Sequence, residues 1–153
     1  MLIIVNYYLE YVDSVVVSSD LSKEEIKLVV KNANKKVVVF AFGLKALMYS
    51  RRNLVTNYEK HFKIEENNIL DASINNKYFK FIESKEGTKV YAYPYYNALE
   101  LLELDNVLYF WYDPILLDVE NIIKVLHGDT KSIETSPIFL DKKTVYKVGD
   151  LDA

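Results

Sequence analysis

Hydrophobic positions along the chain fall into short β-branched or aromatic runs separated by stretches with helical spacing. Runs at residues 2–5, 14–18, 37–42 and 107–112 have strand length and predict four buried strands. Between them, Ile26, Val29, Val30 and Ala33 recur at i, i+3, i+4 and i+7, and Ser22 with Glu25 supplies a capping box at the start of that helix. Asn97 and Glu100 repeat the start signal ahead of Ala98, Leu101 and Leu102. A third apolar face, Val119, Ile122, Ile123 and Leu126, runs out at Gly128 as at a helix C-terminus. Strands alternating with helices predict parallel β-α units. One segment breaks the rhythm. Residues 78–83 and 89–93 flank Glu86-Gly87 and predict a β-hairpin. Residues 128–137 lack an apolar period and predict a loop, and residues 144–148 predict a short terminal strand.

Composition narrows the chemistry. A chain of 153 residues, half of them hydrophobic and free of low-complexity tracts, has the length and composition of one folded domain. Its formal charge of -3 and pI near 5.5 exclude binding of nucleic acid by bulk electrostatics, so any such contact needs a local patch. With no cysteine there is no disulfide, thiolate metal site, Cys-ligated cluster or cysteine nucleophile. The apolar run in MLIIVNYYLE is too short for a signal peptide or a membrane span, which predicts a cytoplasmic protein that does not enter a membrane.

The segment VVVFAFGLKALMYSRRNLVTNY, residues 37–58, resembles the signature of the U32 peptidases, the collagenase-like protease family that also includes RNA hydroxylases. In that family a buried strand ends in glycine, and a Leu/Met-Ser-Arg segment then leads to a cysteine. Gly43, Met48, Ser50, Arg51 and Arg52 match, while the two cysteine positions fall at Ala46 and Asn53. Upstream, residues 14–27 are similar to the family's strand, turn and helix, with Ser18, Asp20, Leu21 and Ser22 in register. Downstream, residues 78–102 resemble its hairpin and helix, and residues 139–150 resemble the closing segment of short members.

The resemblance implies the C-terminal half of a usual member: an α/β chain forming, over residues 1–153, a single but incomplete domain. Its fold is expected to be a partial (β/α) TIM-like barrel of about four parallel strands with a β-hairpin excursion. Four strands cannot close such a barrel, so open edges call for a second U32-like chain or a homodimer. In a barrel of this kind Asn6, residues 18–20, residues 43–52, Tyr112 and Asp113 share the rim that follows the strands.

On that rim Tyr49, Arg51 and Arg52 are candidates for anion or substrate binding, because guanidiniums grip carboxylate or phosphate oxygens and a tyrosine stacks on rings. The alternative is that the arginines cap carbonyls or stay solvated. Ser50, Asp20 and Asp113 are candidates for catalysis, Asp20 having a second reading as a helix N-cap. His61 and His127 fit helix ends better than a catalytic setting, and no G-x-S-x-G elbow occurs. Tyr93, Tyr95 and Tyr96, broken by Pro94, are candidates for stacking on RNA bases, whereas the run at 109–112 is expected to pack in the core.

Family members are labelled peptidases, and others hydroxylate RNA, several with an iron-sulfur cluster. Without cysteines this chain is expected to carry no cofactor or metal of its own. The resemblance therefore implies a non-redox subunit in tRNA wobble-uridine hydroxylation, with tRNA as partner. The rivals are a peptidase using Ser50, Asp20 and a histidine, and a structural remnant without independent activity.

Overall fold

The computed structural model describes residues 2–65, 67–138 and 140–142. The predicted terminal strand at 144–148 and most of the closing segment lie outside the described residues. Four α-helices and seven strands are present among them: α1 (Leu2–Leu9), β1 (Val16–Val17), α2 (Lys23–Asn32), β2 (Val37–Ser50), α3 (Leu54–Phe62), β3 (Ile69–Ile74), β4 (Lys77–Ser84), β5 (Gly87–Asn97), β6 (Val107–Asp113), α4 (Val119–Leu126) and β7 (Thr135–Ser136). A short 3-10 turn covers Leu99–Leu101. Hydrogen-bonded strands follow the order β1-β2-β5-β4-β3, with β6 also pairing β2 and β7 pairing β5.

This mixed, mostly antiparallel sheet corrects the expected half barrel of four parallel strands. β1 with β2 and β2 with β6 are parallel. β3 with β4 and β4 with β5 are antiparallel. The chain divides into two compact units. One holds Met1–Gly43, Tyr96–Leu116 and Pro137–Ala153, and the other holds Leu44–Tyr95 and Leu117–Ser136.

In the first unit the expected strand at 2–5 is instead the start of α1. The apolar run continues through Asn6 and both tyrosines to Leu9 with no turn residue to end it, and Leu9 is buried in the core. Asn6 is thereby removed from the expected rim. Its side chain donates to the Asn32 carbonyl and accepts from the Asn34 N–H at 2.9 Å, tying α1 to the end of α2.

α2 forms as its pattern predicts: Ser22 is the N-cap, the capping box with Glu25 is complete, and Ile26, Val29 and Val30 are buried. They pack in a core with Val17, Val37, Val39, Phe40, Tyr96 and Val107. Phe40 holds Tyr96 in a stacked pair, ring centroids 5.3 Å apart, and meets Trp111 edge-on. The predicted helix near Leu101 shortens to the 3-10 turn, with the Asn97 side chain accepting from the Leu99 N–H.

Strand β2 does not end at Gly43, as the resemblance implies, but runs seven residues further to Ser50. Gly43 has φ +146°, and a Cβ there would lie 2.6 Å from the Asp113 carbonyl oxygen. Only glycine lets β2 approach the end of β6 so closely in that conformation.

The second unit is the larger departure. β3 goes unanticipated although its signal is in the sequence: Asn75 and Asn76 both have positive φ and form the two-residue turn between Ile74 and Lys77, the geometry of a type I′ hairpin. The predicted hairpin is present as β4 and β5. α3 closes on Lys63 in the left-handed conformation, and α4 begins at Asp118, whose side chain accepts from the Asn121 N–H. Thr135 and Ser136 form β7 within the segment expected as loop.

Replacing Gly43 with Ala is expected to destabilise the fold by about 2 kcal/mol or more, because strain and overlap add at one site. Urea unfolding measures this, and a midpoint equal to that of the unmodified protein contradicts it.

Candidate functional site

The second unit gathers the Tyr-Ser-Arg-Arg segment into one place. Its organising group is a buried carboxylate. Glu83, 9% exposed on β4, faces the first turn of α3. Oε2 accepts from the Val55 N–H at 2.9 Å and from the Thr88 hydroxyl at 3.0 Å, and Oε1 accepts from the Thr56 hydroxyl. A longer bond from the Thr56 N–H completes the set.

The Thr88 Oγ1 also lies 2.9 Å from the Arg52 carbonyl oxygen, so that its single proton is shared between that oxygen and Glu83, and it accepts from the Leu54 N–H at 3.0 Å. Burial alone pushes the Glu83 pKa up, but the hydrogen bonds from Thr56, Thr88 and the backbone of Thr56 and Val55 outweigh it and hold the pKa below the ordinary value. The free N–H groups of α3, which favour an anion, are thus served by an anion of the protein's own. Asn53 is the N-cap residue, but its side chain makes no capping hydrogen bond.

The turn after Glu83 is pressed against the end of β2. A Cβ on Gly87 would fall 2.2 Å from the Ser50 carbonyl oxygen and 2.9 Å from the Arg51 Cα. Tyr49, 52% exposed, donates its hydroxyl to the Glu86 carbonyl. Ser50 Oγ accepts from the Arg52 N–H at 3.2 Å and so caps the bend. Arg51 and Arg52 are exposed, and neither side chain forms an ion pair among the described residues. Lys85 and Lys89 are exposed on the two sides of the turn. Lys85 lies 3.8 Å from Glu86, a loose surface pair.

The other expected site residues have different settings. Tyr93 is half-buried and donates to Glu134 at 3.0 Å, and burial followed by Glu134 raises its pKa. Tyr95 and Tyr96 are 6% and 0% exposed, so the structure corrects their expected role: core rings cannot stack on RNA.

Asp20 is exposed in the first unit, its N–H bound to the Ser18 hydroxyl, and the N-cap role belongs to Ser22 instead. Asp113 ends β6 with its backbone against Gly43. His61 packs edge-on against Phe62, and His127 caps α4 with Nδ1 2.8 Å from the Ile123 carbonyl oxygen. No histidine is hydrogen-bonded to Ser50 among the described residues, and no group of three or more His, Asp or Glu there is arranged to hold a metal ion. No helix among them is long and apolar enough to cross a membrane.

Sequence reading missed Glu83 and Thr88. The available signal was an acidic residue on the Phe79-Phe81 side of a strand, with a threonine one step past the turn.

The chain matches no protein-family model, no curated protein and no solved structure.

Because the Glu83 pKa is depressed on folding, its stabilisation is present above the ordinary glutamate range and is lost as pH falls through the lower folded value. Glu83→Gln is expected to cost about 2 kcal/mol at neutral pH. In urea titrations run from about pH 7 to about pH 3, its deficit against the unmodified protein should shrink only below the ordinary range near about 4.3. A deficit independent of pH would contradict the charged network.

Proposed function

We propose that the chain is a non-redox, RNA-contacting subunit in tRNA wobble-uridine hydroxylation, working in the cytoplasm beside a second U32-like chain or a second copy of itself. The family part of this reading rests on the resemblance of the Gly43 to Arg52 segment to U32 proteins. The observation that carries the RNA part is the packing of the Gly87 turn on Ser50 and Arg51. That packing brings the exposed Arg51 and Arg52 beside the turn that carries Lys85 and Lys89, and Lys89 shares a cleft with Tyr49 and Glu86. Four exposed cations against one exposed carboxylate, Glu86, leave a local positive excess able to engage a phosphate backbone, and Tyr49 adds a ring for a base, which the acidic chain as a whole does not offer.

Glu83 supports the same division of labour. With the α3 N-terminus occupied internally, an incoming phosphate is left to the guanidiniums, which bind such oxygens in bidentate fashion. No thiolate is present to hold an iron-sulfur cluster, so in this reading the partner supplies the redox centre.

Two measurements test the proposal. Deleting the gene should lower hydroxylated wobble uridine in bulk tRNA, and unchanged modification overturns the pathway assignment. The double substitution Arg51→Glu with Arg52→Glu should weaken tRNA binding at least about tenfold and reduce the salt slope by about 1.4, the value for two phosphate contacts on a single strand. Binding with an unchanged slope would remove the arginines from the interface.

A further inference from the structure

Further along the β3-β4-β5 meander lies a cleft whose chemistry differs from that of the basic turn. Strand alternation puts Glu83 on the α3 side and turns Tyr78 and Lys80 to the opposite face. The register sets Asp71 across from Lys80, Ser73 across from Tyr78, and Tyr78 across from Tyr93. These five residues line an open cleft of about 330 Å³.

The cleft is built, and its charge is already balanced. Lys80 Nζ lies 2.9 Å from both Asp71 carboxylate oxygens, and its side chain is only 18% exposed. The same ammonium sits 4.7 Å from the centre of the Tyr93 ring. Tyr93 is fixed in turn by its bond to Glu134 and by edge contact with Tyr95. A phosphate entering here would meet the Asp71 charge beside the ammonium, so the cleft does not select an anion. It offers instead an exposed aromatic ring, Tyr78 at 57% exposure, together with acceptor capacity on the Asp71 carboxylate and the hydroxyl of Ser73, while the Lys80 ammonium is engaged by Asp71 and the Tyr93 ring. Those features suit a flat, uncharged ring carrying an N–H next to a hydrogen-bond acceptor, the pattern along the pairing edge of an unpaired base.

We infer that this cleft seats one unpaired nucleobase, stacked on Tyr78 and hydrogen-bonded along its edge by the Asp71 carboxylate and the Ser73 hydroxyl. The inference rests on the RNA reading above and adds a base-reading site to its phosphate-binding turn.

The test titrates the isotope-labelled full chain with a short oligouridylate and with an abasic oligomer of the same length and charge. The oligouridylate is expected to move the Tyr78 and Lys80 side-chain resonances and to bind about tenfold tighter than the abasic strand. Tyr78→Ala should abolish that preference and Tyr78→Phe, which keeps the ring, should retain it. Tyr78 is exposed, so neither change threatens the fold. Equal affinity for the two oligomers, with shifts only at Arg51 and Arg52, overturns the base seat and leaves the RNA proposal standing. A preference for bases that persists undiminished in the Arg51→Glu, Arg52→Glu protein supports the seat and counts against the basic turn. Shifts confined to the backbone amides of β3 would assign the surface to strand pairing and also overturn the seat.

Discussion

The second unit is organised around one buried carboxylate. Glu83 reaches from β4 to the first turn of α3 and collects hydrogen bonds from two backbone amides and two threonine hydroxyls. A charge this far from water is tolerated only when fully hydrogen-bonded, and hydrogen bonds to charged groups contribute about 1.5–3 kcal/mol each. The network fixes more than a helix end. Through Thr88 it reaches the Arg52 carbonyl and the Leu54 N–H, so that the bend between β2 and α3 and the hairpin turn are held as one piece.

Chemical consequences follow from that geometry. A helix N-terminus following a Ser-Arg-Arg segment reads as an anion site, and here the anion belongs to the protein. The guanidiniums are displaced outward, to the surface where the Gly87 turn adds two lysines. The neighbouring cleft solves a different problem, because its lysine is paired with Asp71 and covered by an aromatic ring. One unit therefore carries an anion-seeking edge at the β4-β5 turn and a charge-balanced cleft further along the same strands.

Much of the first unit was legible in the sequence. The capping box at Ser22 and Glu25, the i, i+3, i+4 face of α2 and the β-branched run at 37–42 report local propensity and burial, which act over a few residues; the run at 107–112 forms its strand, but Tyr109 and Trp111 are exposed, which corrects the expected core packing of 109–112. The expectations that failed depended on distant partners. The run at 2–5 has strand composition but folds as helix with Leu9 buried beneath it. β2 passes Gly43 because glycine permits the close contact with Asp113 as well as a turn, and sequence alone does not say which. The Tyr93 to Tyr96 cluster alternates between faces, and burial of Tyr95 and Tyr96 is decided by tertiary packing. The tight Asn75-Asn76 turn is legible as a pair of residues that tolerate positive φ between two strands. For Glu83 the sequence shows an acidic residue on the Phe79-Phe81 side of its strand but not its partners, which lie 28 residues earlier at Val55 and 5 residues later at Thr88.

The most direct test of this account is an amide and arginine-side-chain NMR titration of the intact protein with inorganic phosphate. Occupation of the α3 N-terminus by Glu83 predicts that the Val55 and Thr56 amides stay unmoved and protected from exchange while the Arg51 and Arg52 Nε–H signals shift. Phosphate-dependent movement of the Val55 and Thr56 amides, with the arginine signals unchanged, would contradict it.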